Sequence, residues 1–147
     1  MTISTLSNRW LEEKCKKNVN EETDTFRIIL LDTTFTFDRD THETEADIQS
    51  HELATGNGYT QGGQTLSGGA LTRDDTDDEM NRDWSDVTWT ASGGNLGPTR
   101  WCAIIDDTHA NNIIMGCSDF EQDITVADGQ DLVIQDILKQ TRTNNSP

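Results

Sequence analysis

Apolar positions along the chain follow a helical period first and strand periods afterwards. Ile3, Leu6 and Trp10 recur at i, i+3 and i+7 with Leu11 beside them, so the spacing predicts a short helix within residues 1–20 with one narrow apolar stripe. Lys14, Lys16 and Lys17 sit where a helix C-terminus favours cations, and Asn18 and Asn20 are terminators. Two roles fit such a helix: packing over one end of a β-domain, or serving as an arm that grips a neighbouring subunit. Residues 25–36 then change period. Phe26, Ile28 and Leu30 cover one face of a strand while Ile29 and Leu31 cover the other, which predicts a central strand buried on both sides.

Further along, residues 38–50 are acidic, with Ala46 and Ile48 as their apolar contacts, and read as a loop holding at most one helical turn. GNGYTQGG at 56–63 marks a tight reversal. Residues 66–72 read as a strand broken at Gly68-Gly69, where a β-bulge would let Leu66 and Leu71, of opposite parity, share a face. Residues 73–82 read as an acidic turn. In residues 83–91, Val87 and Trp89 alternate with polar neighbours, the signature of a half-buried antiparallel strand, and 92–98 form a loop.

TRWCAIID (99–106) and NIIMGCSD (112–119) flank the turn at 107–111 and predict a hairpin. A turn centred between His109 and Ala110 sets Cys102 opposite Cys117, Ile104 opposite Met115 and Ala103 opposite Gly116. Trp101, Ala103 and Ile105 would then face the other way. Residues 124–126 and 131–134 flank Ala127-Asp128-Gly129, a strong hairpin turn signal. About seven short strands with frequent turn signals and a short N-terminal helix predict a mainly β fold, an antiparallel β-sandwich.

Composition narrows the partners. The 147 residues suffice for one domain, and an apolar fraction of 32% with mean hydropathy −0.70 leaves a spare core. Eleven basic against 27 acidic residues give a formal charge of −16, which argues against nucleic acid and anionic membranes as partners and favours basic ones. Residues 1–20 lack the apolar segment of a secretory signal, so synthesis and assembly in a cytoplasm are expected. Cys15, Cys102 and Cys117 are odd in number and lack C-x-x-C spacing, which suggests neither a disulfide framework nor a zinc site; reduced thiols are expected.

Chemistry is scarce among the motifs. The glycine cluster lacks the G-K-[ST] ending of a P-loop, and Gln61 stands where a dinucleotide fingerprint needs glycine. Asp38-Arg39-Asp40 opens like a calcium loop, but Glu43 occupies its glycine position. Asp74, Asp75, Asp77 and Asp78 read as solvated surface able to collect a cation incidentally. His42, His51 and His109 are scattered over predicted turns, so no catalytic residue, metal site or cofactor is assigned.

Five blocks carry a resemblance. DTFRIILLDTTFTFDRDTH (24–42), ELATGNGYTQGGQTLSG (52–68), TRDDT (72–76), DVTWTAS (86–92) and IDDTHANNIIMGCSDF (105–120) occur in this order. They resemble a family of small proteins encoded among the virion structural genes of tailed bacteriophages. The resemblance spans about residues 5–134, and GYT-x-GG-x-TL is its most specific part. It implies a virion role, foremost a capsid decoration (cement) protein on the capsid exterior that binds the major capsid protein and its neighbours, as a homotrimer at three-fold or quasi-three-fold sites or as a monomer. Tail or head–tail components are the alternative, and an enzyme or an ion-dependent carbohydrate binder the more distant one. The family pattern supplies no catalytic residues. QDILKQTRTNNSP at 135–147 runs past its usual last strand as a contact arm. The expected organisation is an N-terminal helix or arm at 1–20, a β-sandwich at 21–138 and a loose tail at 139–147. Leu6, Trp10 and Leu11 of the helix and Lys139 and Arg142 of the tail are the expected partner contacts.

Overall fold

A computed structural model describes residues 1–3, 5–77 and 79–142. The fold is mainly β, with antiparallel sheets and one N-terminal helix, as the periodicity predicts. Strands β2 (Phe26–Leu31), β3 (Gln64–Thr65), β7 (Leu96–Asp106) and β8 (Ile113–Val126) form a sheet in the order β3-β2-β7-β8. A second sheet has the order β1-β10-β5-β4, built from β1 (Thr2–Ile3), β4 (Leu71–Asp74), β5 (Glu79–Trp84) and β10 (Ile137–Arg142). Its β1–β10 pair is parallel. Strands β6 (Val87–Thr90) and β9 (Asp131–Ile134) pair with each other. Helix α1 spans Asn8–Lys16, and the short α2 spans Glu45–Ile48 with a 3-10 turn at Gln49–His51 behind it.

β2 organises this layout. Phe26, Ile28 and Leu30 enter one core with Trp10, Trp84, Val87, Trp89, Cys102, Ile104, Met115, Leu132 and Ile137. Ile29 and Leu31 enter a second core with Phe35, Ile48, Ala103, Ile105, Ile114 and Cys117. The expected doubly buried strand is therefore present, ending at Leu31 rather than at residue 36. Each fully buried Ile, Leu or Phe contributes about 1.5–3 kcal/mol.

The N-terminal segment is core, so of its two expected roles packing on the β-domain is the one seen and the arm is not. Leu6 is 7% exposed and Trp10 0%. Trp10 meets Phe26 edge to face at 5.9 Å, and Phe26 meets Trp84 at 5.5 Å. Two of the expected partner contacts are thus spent inside the chain, and only Leu11 of the three is exposed. Ile3 lies in β1 rather than in the helix, because α1 starts after Ser7, whose Oγ accepts from Trp10 N at 3.0 Å. Lys17, at φ 62°, closes the helix as its left-handed cap.

The hairpin register also differs from expectation. Asp106↔Ile113 and Ile105↔Ile114 obey the predicted pairing, but Ile104 then stands opposite Gly116, Ala103 opposite Cys117 and Cys102 opposite Ser118. Met115 is the extra residue of a β-bulge, so Cys102 and Cys117 point into different cores. The cause is tertiary. Residues 5–7 run against β8 here, with Ser7 N donating to Met115 O at 3.0 Å, and a Cβ on Gly116 would lie 2.5 Å from Thr5 O.

Four more expectations change. Residues 66–72 are not one bulged strand, because Gly68 and Gly69 carry the chain between sheets, leaving Leu66 buried and Leu71 40% exposed. Residues 73–82 belong mostly to the β4–β5 hairpin. The Asp128-Gly129 turn exists, but β9 pairs with β6 and not with residues 124–126. Finally, 139–142 are strand, where Lys139 lies opposite Arg82 and Arg142 opposite Glu79. The expected tail at 143–147 lies outside the described residues.

Trp10→Ala should therefore destabilise the protein by about 3–5 kcal/mol in denaturant titration, while Leu11→Ala should stay within about 0.5 kcal/mol. Deleting residues 1–16 should abolish cooperative unfolding; a truncated protein that still unfolds cooperatively would restore the arm reading.

Candidate functional site

The GYT-x-GG block closes the outer edge of β2. Tyr59 is buried, its hydroxyl accepts from Leu30 N at 3.1 Å, and it donates to Glu52 Oε1 at 2.8 Å. Gly62 N donates to the same carboxylate oxygen at 2.6 Å. Past the two-residue strand β3, this phenol stands in for a ladder partner that β2 lacks. Burial pushes the phenol far above its ordinary range, so it remains a donor at physiological pH. Gly63, at φ 68°, lies so close to Ile28 O that a Cβ would overlap it at 1.9 Å. The block that reads in sequence as a tight reversal is also a structural clamp.

The second core has a polar latch. Arg27 meets both Glu45 carboxylate oxygens and reaches Asp107 Oδ1 from Nε at 2.8 Å. The Arg27 guanidinium, foremost, holds the Glu45 carboxyl below the usual range. This latch ties α2 to β2 and to the hairpin turn, and charge-assisted bidentate pairing makes it geometrically specific.

Histidines do three separate jobs. His42 stacks on Phe35 at 5.2 Å and its Nδ1 accepts from Asp38 N at 3.0 Å. His51 Nδ1 lies 3.3 Å from Asp32 Oδ1, and His109 Nε2 lies 3.6 Å from the buried Glu13. His42 and His51 meet through Phe35, which His51 approaches edge to face at 5.4 Å. At the β4–β5 turn, single carboxylate oxygens of Asp74, Asp77 and Glu79 lie within 4.8 Å of one another. Asp74 Oδ1 already accepts from Thr76 N and Asp77 N, and Asp75 pairs with Arg73 at 2.7 Å. These are the contacts of a solvated turn. Asp78, expected with them, lies outside the described residues.

Asp106 is a buried carboxyl that sequence reading missed, since it looked like any acid beside a turn. Its Oδ1 accepts from Thr108 N at 2.9 Å and His109 N at 3.1 Å, while Oδ2 is buried without a partner. Burial, with the Asp24 carboxylate beside it, pushes its pKa up. The thiols follow the same physics: burial pushes Cys102 up to about 12 and Cys117 well above its ordinary value, whereas Cys15 is exposed.

Two concavities are lined by described residues. One, of about 230 Å³, is bounded by the polar loops at 53–57 and 95–97. The other, of about 170 Å³, is apolar and lies between Phe120 and Ile124 of β8 and Leu132, Val133 and Ile134 of β9, with Met1 and Gln135 at its end. Among the described residues no helix is long and apolar enough to cross a membrane.

Two tests follow from these buried groups. Asp106 has a folded pKa above its unfolded value of about 3.9, so the native state keeps a proton that the unfolded chain loses. That stabilisation is complete below the unfolded pKa and disappears as pH rises through the folded one. Asp106→Asn retains the acceptor and adds a donor toward Asp24. It should raise stability at pH 7 by about 1–3 kcal/mol, with the gain shrinking toward pH 4 in thermal melts. In the native protein one thiol should react with a disulfide reagent, and in denaturant all three.

Comparison with models of known protein families, with curated proteins and with solved structures finds no match to this chain.

Proposed function

We propose that this protein is a non-catalytic structural component of a tailed-bacteriophage particle, a decoration protein that binds the major capsid protein on the shell exterior. The observation that carries the reading is where the five resembling blocks fall. Four of them supply β2, the Glu52–Tyr59–Gly62 clamp, β6 and the β7–β8 hairpin, and the fifth, TRDDT, falls on the exposed strand β4 and its turn. Most of the resemblance therefore lies in the framework of the sandwich. A cement needs such a framework, because it acts by burying surface across seams of a lattice without deforming. Many weak contacts repeated around a closed shell then add up through avidity.

Surface charge supports the same reading. At −16 the protein stays soluble at the high copy number a shell demands, and it is steered to basic surfaces. Trimers at three-fold and quasi-three-fold positions suit closed-shell symmetry. Lys139 and Arg142, the expected tail contacts, stand on β10 in the sheet that includes β1.

Capsids assembled without the protein should form but burst at lower temperature, and purified protein added back should restore them. Equal thermal stability with and without it would exclude the cement role. Mass spectrometry of purified particles that gives a copy number matching tail symmetry would assign it to the tail instead.

A further inference from the structure

The apolar groove between β8 and β9 runs along a strand edge. Its lining includes the consecutive residues Leu132, Val133, Ile134 and Gln135. Side chains of consecutive strand residues point to opposite faces, so a groove touching all of them follows the edge and not a face. β9 belongs to a two-stranded sheet, and β6 takes one of its edges. Among the described residues, no backbone hydrogen bond outside that ladder involves residues 132–134, and beyond them the Met1 ammonium takes the carbonyls of Gln135 and Asp136 at 2.6 and 2.9 Å, so the open stretch is 132–134. A free edge of this kind accepts an extended segment as an added strand. The volume of about 170 Å³ matches one branched or ring-sized apolar group, and Val133, 43% exposed, lies at its mouth.

The rim decides the occupant. Residues 119–136 contain Asp119, Glu121, Asp123, Asp128, Asp131 and Asp136 and no Lys or Arg. Arg100 pairs with Asp119 at 3.1 Å and with Asp123 at 3.7 Å, and the other four acids remain exposed. A second copy adding through its own β9 would bring like charges together across the new pair, which is destabilising. We propose that this groove docks an extended, basic segment of a partner protein. The segment adds to the free edge of β9, places one aliphatic side chain between Phe120, Ile124 and Val133, and sets its lysines or arginines against the acidic rim. The assignment rests on the reading of the chain as a binding protein and names the chemistry of what it binds.

The test uses the purified full chain and a fluorescein-labelled peptide of alternating valine and lysine, followed by anisotropy. The peptide should bind, a serine/lysine analogue should bind at least about ten-fold more weakly, equivalent to about 1.4 kcal/mol, and a valine/glutamate analogue should not bind. Val133→Arg should weaken binding about ten-fold or more with an unchanged melting temperature, since Val133 is exposed. Glu121→Gln with Asp136→Asn should also weaken it, whereas Asp74→Asn with Asp77→Asn, the same charge change at the distant turn, should not. Equal binding of the serine/lysine analogue, equal binding by Val133→Arg, or equal loss from both charge pairs overturns the proposal. So does concentration-dependent dimerisation that Val133→Arg abolishes, because it assigns the edge to a second copy. Lost peptide binding with intact capsid protection sinks the groove alone, and peptide binding without capsid protection sinks the shell role alone.

Discussion

A six-residue strand with no polar face governs this structure. FRIILL at β2 must hide Phe26, Ile28 and Leu30 on one side and Ile29 and Leu31 on the other, in a chain of which only 32% is apolar. Two covers are needed, and the available apolar residues are divided between them. The first cover draws on distant pieces: the N-terminal helix, Trp84 of β5, the β6–β9 pair and Ile137 of β10. The second uses the segment directly after β2, folded back so that Phe35 and Ile48 lie over Ile29 and Leu31. Because so little apolar surface remains, the N-terminal segment cannot be released as an arm without opening the first core.

Polar groups at the rim complete what packing leaves undone. Arg27 is the single charged residue in β2, and it latches Glu45 and Asp107. Thr99 Oγ1 donates to Leu31 O at 2.7 Å, and Tyr59 and Leu53 serve Leu30 N and O. Tyr59 and Leu53 satisfy positions the short strand β3 does not reach, and Thr99 serves β2 from the β7 side, as buried backbone polar groups require. The acids Glu13 and Glu52 are buried where donors meet them, and among the described residues Asp106 alone keeps a buried carboxylate oxygen without one. Most of the remaining acids stay at the surface.

Local chemistry was readable from the residues. The presence of a helix before residue 20, the double burial of β2, the glycine reversal at 56–63 and the Asp128-Gly129 turn depend on period, side-chain branching and φ, all properties of a few neighbouring residues. The burial of Trp10 was half readable, since its stripe demanded an apolar partner without saying whether that partner lay in this chain. Nothing local marked Asp106 as unpaired or β9 as open-edged, because both depend on which elements stop short of them.

Tertiary structure decided which strand meets which. Parity allowed Leu66 and Leu71 one bulged strand, but closure of two sheets placed them apart. Symmetry of the 107–111 turn set Cys102 opposite Cys117, but residues 5–7 press on Gly116 and a bulge at Met115 shifts the ladder by one. The Asp-Gly turn promised a hairpin, yet β9 crosses to β6. The physical reason is common to all three. Turn and period energies are local and nearly equal for alternative pairings, whereas burying both faces of β2 is a global requirement worth many kilocalories, and it selects the pairing that covers them.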